Sequence, residues 1–205
     1  MKRILFMGDS ITDANRSREN DTIKGYGYPC LVSSQLTFEN PNEYYCMNRG
    51  ISGHRISDLM ARIKSDVINL TPDVMSILIG INDVWHENAF KNGVDEELFE
   101  ELYSIYIREI KKALPNIRIM IMEPFVLPGT ATEASWDFFK AETALRAAAA
   151  KRVAEKFDLD FIPLQEKFDE ALKLAEPQYW LVDGVHPSNA GHELIKREWL
   201  KCFNK

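Results

Sequence analysis

The feature that most restricts the fold is a series of short, continuous apolar runs separated by longer segments of helical periodicity. The strongest run is Val74-Met75-Ser76-Ile77-Leu78-Ile79, opened by the turn signal Thr71-Pro72-Asp73. Similar runs cover residues 3–7, 44–47, 117–122 and 159–162. A run that is apolar throughout, rather than at every second position, belongs to a strand buried on both faces, which is the mark of a parallel sheet between helical layers. The intervening segments supply the crossovers. Leu59, Ile63, Val67 and Leu70 are spaced as one helix face within 57–70, and Leu98, Leu102, Ile105, Ile110 and Leu114 within 97–114. Residues 136–157 contain the helix-forming Ala147–Ala150 tetrad, and 191–203 form a last helix with Ser188 or Asn189 as its cap. Strand alternating with helix predicts a doubly wound α/β sandwich with right-handed crossovers. The 205 residues contain no internal repeat, low-complexity tract or linker, so one domain over 1–205 is expected.

Composition removes several classes of function. A net charge of −6 argues against a nucleic-acid partner, which requires clustered Lys and Arg. No stretch approaches the roughly 20 apolar residues of a membrane span. Met1-Lys2-Arg3 is basic, but the apolar run behind it is too short for a signal segment. Cys30, Cys46 and Cys202 are few, widely spaced and without metal-ligand spacing, which fits buried small hydrophobes in a reducing, cytoplasmic setting. No metal or other cofactor is expected.

Four blocks fall where strands end or where the last helix begins: Gly8-Asp9-Ser10, Asn48-Arg49-Gly50-Ile51-Ser52-Gly53, Gly80-Ile81-Asn82-Asp83, and Asp183-Gly184-Val185-His186-Pro187. In a parallel sheet these ends share one edge, so residues distant in sequence converge there. Ser10 is an alcohol and needs a base to become a nucleophile. Of the four histidines, His54, His86, His186 and His192, only His186 has a carboxylate, Asp183, at a short offset in a loop braced by Gly and Pro. Such a carboxylate orients the imidazole and stabilises its cation. Attack on an acyl carbonyl builds an oxyanion, for which the backbone N–H groups of Ser10 and Gly50 and the amide of Asn82 are the expected donors. Asp9 is expected to brace the turn around Ser10, at the edge of the substrate site. His192 is read as bonding to loop backbone from the last helix.

These blocks resemble the SGNH hydrolases, or GDSL esterases and lipases, over essentially the whole chain. The name-giving residues correspond to Ser10, Gly50, Asn82 and His186, with Ile11 where the family writes Leu. The resemblance implies a flavodoxin-like three-layer α/β/α fold with a five-stranded parallel sheet, and Asp183 as the catalytic acid three residues before His186. Gly80-Ile81-Asn82-Asp83-Val84-Trp85 and Glu123-Pro124-Phe125 further resemble the carbohydrate-esterase branch, which includes acetylxylan esterases.

The expected substrate is therefore a small acyl ester, an acetylated sugar, held by loops over 84–94 and 125–136, with Trp85, His86, Phe125 and Trp136 lining the pocket. Lysophospholipase or thioesterase activity is the alternative within the same chemistry. A non-catalytic sugar- or partner-binding module is the alternative outside it. A flavodoxin-like nucleotide binder lacks the glycine-rich phosphate loop it would need. Trp199 and Phe203 are read as core of the last helix, their alternative being a self-association face in a homo-oligomer.

Overall fold

In the computed structural model, which describes residues 1–205, every strand alternates its side chains between two hydrophobic cores. Ile4 and Phe6 of β1 (Lys2–Gly8) enter one core, while Leu5 and Met7 enter the other. β3 (Val74–Leu78) and β4 (Arg118–Met122) divide in the same way, Met120 and Met122 on one side and Ile119 and Ile121 on the other. This is the two-residue pleat period acting on a run that is apolar throughout, and it requires helices on both faces. With β2 (Tyr44–Asn48) and β5 (Asp160–Ile162), the strands form one parallel sheet in the order β2-β1-β3-β4-β5.

The helices in chain order are α1 (Ser10–Asp13), α2 (Tyr28–Glu39), α3 (Ile56–Ala61), α4 (Ile63–Asp66), α5 (Ile81–Phe90), α6 (Glu96–Ala113), α7 (Trp136–Lys156), α8 (Gln165–Ala171), α9 (Pro177–Trp180) and α10 (Asn189–Phe203). α2 and α10 pack on one face of the sheet, where Trp199 of α10 is fully buried, 5.5 Å from the Phe6 ring and stacked on Phe203. α3 and α6, with Ala149, Ala150 and Val153 of α7, cover the other. No helix is long and apolar enough to cross a membrane, and the three cysteines are free.

Two local expectations are corrected, and one helix stands where none was expected. The single helix over 57–70 is broken into α3, α4 and a 3₁₀ turn, Ile68–Leu70. The break falls at Arg62, whose guanidinium reaches inward to donate to Arg49 O (2.6 Å) and Gly8 O (3.2 Å). Those tertiary bonds outweigh the continuous apolar spacing. The loop over 84–94 is mostly helix, since α5 runs to Phe90 after Gly80 (φ +132°) turns the chain off β3. Finally, α2 has no counterpart in the periodicity. Ser33, buried at 7 % exposure, interrupts the apolar face that Val32 and Leu36 begin.

Candidate active site

Strand β1 ends at Gly8, and the chain turns at once into the one-turn helix α1 with Asp9 as its cap. The cap is a side-chain hydrogen bond in which Asp9 Oδ1 accepts from Ile11 N–H at 3.0 Å. Asp9 is 1 % exposed, so it braces the turn and offers no surface to a ligand, which corrects its placing at the substrate edge. Burial pushes its carboxyl up to about 7, against the pull of the Ile11 N–H and of His186. Ser10 follows as the first residue of α1 and projects its hydroxyl at the carboxyl edge of the sheet. Its own N–H stands in the first turn of a helix, where no intrahelical acceptor exists.

Ser10 Oγ lies 2.9 Å from His186 Nε2, although 176 residues separate the two in the chain. On the other side of the ring, His186 Nδ1 lies 2.7 Å from Asp183 Oδ2. The second oxygen, Asp183 Oδ1, accepts the backbone N–H groups of Val185 (2.9 Å) and His186 (2.8 Å). Burial opposes the charge on Asp183, but the hydrogen bonds from the His186 ring and from these two amides outweigh it and bring the carboxyl down to about 2. The Asp183 hydrogen bond raises His186 above its ordinary value against the opposing effect of burial. A buried neighbour, His192, is lowered to about 4 by burial and by His186, and its Nδ1 accepts from the Tyr28 N–H at 3.2 Å. It is a structural histidine bonded to backbone, as expected.

The second block is folded differently from expectation. Gly50 N–H donates to Asn48 Oδ1 at 2.9 Å, so it is taken up inside its own loop. A Cβ at this position would lie 2.2 Å from Asp13 N, so Gly50 is small because α1 packs against it. The amide left without an acceptor in this loop is that of Gly53. Gly53 has φ +81°, and a Cβ there would meet nothing within 4 Å, so this glycine faces open space. The loop is held from both ends. Asp13 Oδ2 accepts Ser52 N–H (3.0 Å) and Ser52 Oγ–H (3.1 Å) while paired to Arg18 at 2.5 Å. From α5, Asn82 Nδ2 donates to His54 O at 3.1 Å, leaving one amide hydrogen, and the buried Asp83 accepts Ile56 N–H.

Of the four aromatic or imidazole side chains assigned to the pocket, one reaches it. The Trp85 ring sits 5.9 Å from the His186 ring and edge-on to Phe139. His86, the next residue on α5, turns its ring to Phe90. Phe125 is fully buried against Phe168, ring centroids 4.5 Å apart, and offers no surface to a ligand. Trp136 lines a separate cavity between α7 and α8. Sequence reasoning missed Asp13 and Gly53. The second glycine of the Gly-Ile-Ser-Gly string was the only available signal for Gly53, and nothing local distinguishes it from Gly50.

Residues 6–194 match the model of a GDSL-like lipase/acylhydrolase family. The chain is 33 % identical to the acetylxylan esterase of Geobacillus stearothermophilus, covering 98 % of this chain and 93 % of that protein. A structure of that esterase, Axe2, superposes with a TM-score of 0.88 at 32 % identity, covering all of this chain and 94 % of Axe2. A GDSL-like lipase from Parabacteroides merdae superposes with a TM-score of 0.94 at 35 % identity, over 99 % of this chain and 95 % of that one. The solved structures of Axe2 include catalytic mutants in which a serine, an aspartate or a histidine is replaced by alanine, the aspartate three positions before the histidine.

Proposed function

The chain belongs to the GDSL-like lipase/acylhydrolase family and is a carboxylic ester hydrolase, and from that premise we propose that it removes small acyl groups, acetyl above all, from carbohydrate hydroxyls. The observation that carries the mechanism is the Ser10–His186–Asp183 chain of contacts at 2.9 and 2.7 Å. His186 Nε2 takes the Ser10 proton as Oγ attacks the ester carbonyl, and Asp183 stabilises the imidazolium that forms. The tetrahedral oxyanion is met by Ser10 N–H, Gly53 N–H and the remaining amide hydrogen of Asn82. Collapse breaks the bond to the sugar oxygen, which leaves with the proton from His186. Water, deprotonated by the same imidazole, then attacks the acyl-Ser10 ester, and the carboxylic acid departs as Ser10 Oγ takes the proton back from His186, the acid ionising in solution.

The sugar acetate reading is supported by the likeness to an acetylxylan esterase along nearly the whole chain, and by an aromatic ring beside the base, Trp85 at 5.9 Å from the His186 ring. Hydrolysis of p-nitrophenyl acetate, butyrate and octanoate, with acetylated xylose in parallel, tests it. Wild type is expected to favour acetate and to release acetate from the sugar, and Ser10→Ala to lose on the order of 10⁴–10⁶ in kcat with its fold intact. Preference for octanoate would move the substrate to lipids or thioesters. Near-wild-type activity of the Ser10 variant would overturn the mechanism.

A further inference from the structure

A cavity of about 710 Å³ lies between α7, α8 and the segment that follows β4, and none of its lining residues belongs to the Ser10 site. Its volume is within the roughly 300–1,000 Å³ of small-molecule sites. One face of α7 forms the long wall, with Trp136, Thr143 and Ala147, and Leu172 closes the far side. Thr143, only 2 % exposed, presents little to the cavity, so the α7 wall is apolar between its lysines.

The charges around the cavity are unequal in availability. Both carboxylates are engaged by protein donors: Glu123 Oε2 accepts Leu164 N–H (2.7 Å) and Gln165 N–H (2.9 Å), and Asp169 Oδ1 accepts Gln165 Nε2 (3.0 Å). Lys140 and Lys151 also line it, and neither has a carboxylate within salt-bridge distance. Eleven residues of helix, about 16 Å, separate them along the groove. The two lysines, without a carboxylate partner, stand at the ends of an apolar trough whose formal charges balance.

The wall opposite α7 is continuous with the active site. Leu127 lines the cavity with its side chain, while its N–H donates to Gly184 O at 2.9 Å. Ala131 N–H likewise donates to Asp183 O at 2.9 Å. At Gly129 a Cβ would lie 2.4 Å from the Asp183 carbonyl carbon, so no side chain fits between this segment and the Asp183 loop.

We propose that this cavity binds an apolar monocarboxylate such as a straight-chain fatty acid, its chain along Trp136 and Ala147 and its carboxylate on Lys140 or Lys151, at a site separate from the Ser10 cleft. The site stands independently of the acyl-transfer reading, because binding is measured on the Ser10→Ala variant as well as on wild type. The probe is dodecanoate below its micelle concentration, followed by titration calorimetry, with dodecyltrimethylammonium as the cationic counterpart. The expected result is saturable 1:1 binding of dodecanoate, weakened at least tenfold by Lys140→Glu with Lys151→Glu and abolished by Ala144→Trp, which fills the trough from an exposed position. Dodecanoate is expected to change kcat for p-nitrophenyl acetate with the same half-saturation as the heat. The proposal is overturned by the absence of saturable heat, by equal binding of the cationic detergent, by binding that survives Ala144→Trp in a folded variant, or by purely competitive inhibition, which would seat the acid in the Ser10 cleft.

Discussion

The two loops that complete the site are built on opposite principles. Asp183 and His186 lie within four residues, and the carboxylate bonds the ring and two backbone amides of its own loop. The loop over 48–54, by contrast, owes its shape to side chains brought from elsewhere: Asp13 on α1, Asn82 and Asp83 on α5, and Arg16 and Arg18, which both donate to Gly50 O at 2.8 Å. The proposed base is preassembled locally, whereas the proposed oxyanion donors are assembled by packing. The first should therefore fail by losing chemistry, and the second by losing either chemistry or stability depending on which glycine is touched.

The largest effect expected from breaking this contrast is at Asp183. Asp183→Asn keeps the shape but presents the wrong tautomer of His186, and a loss on the order of 10⁴ in kcat is expected, by analogy with the well-studied serine-protease triad. Steady-state kinetics on a variant with unchanged thermal melting checks it.

Asn82→Ala comes next. It removes a donor and also the bond to His54 O, with an expected loss of about 10²–10³ in kcat and little change in KM. A loss confined to KM would place Asn82 in ground-state binding.

The two glycines sharpen the comparison further. A Cβ at Gly50 would lie 2.2 Å from Asp13 N, so Gly50→Ala should cost about 1–3 kcal/mol in urea unfolding. A Cβ at Gly53 meets nothing, so Gly53→Ala should leave a folded protein with reduced kcat, through strain at φ +81° that tilts its N–H. If Gly53→Ala kept full activity and Gly50→Ala lost activity alone, the donor assignment would revert to Gly50.

The smallest effect is in pH dependence. The proposed mechanism needs neutral His186, whose folded-state value is raised, so kcat/KM should rise with pH along a limb centred above about 6.5. Asp183, held at about 2, stays ionised throughout that range. Asp9 titrates nearby, at about 7, and its sign in stability is opposite to that of an ordinary paired carboxylate. Its folded value lies above the unfolded one, so the native state binds the extra proton and stability falls as pH rises from about 4 to about 7. Asp9→Asn should flatten that fall in denaturation measurements and shift the kinetic limb slightly lower, because the Asp9 charge also raises His186. Disappearance of the limb would assign it to Asp9 instead.

What could be read along the chain were features whose causes are local. The strands were legible because a run such as Val74–Leu78 has to be buried on both faces. The Asp183–His186 pair was legible because its bonding partners are neighbours in sequence. Hidden from the sequence were the features that depend on what arrives from a distance: the break of one helix at Arg62, the burial of Phe125 on Phe168, and the removal of Trp136 to another cavity. The same holds for the choice between Gly50 and Gly53. Both follow a strand, and only the approach of Asp13 to one and of open space to the other separates them. Periodicity and spacing say which residues reach the carboxyl edge. Which atom of each is left free to act depends on the hydrogen bonds its neighbours take first, and those are made only when the layers pack.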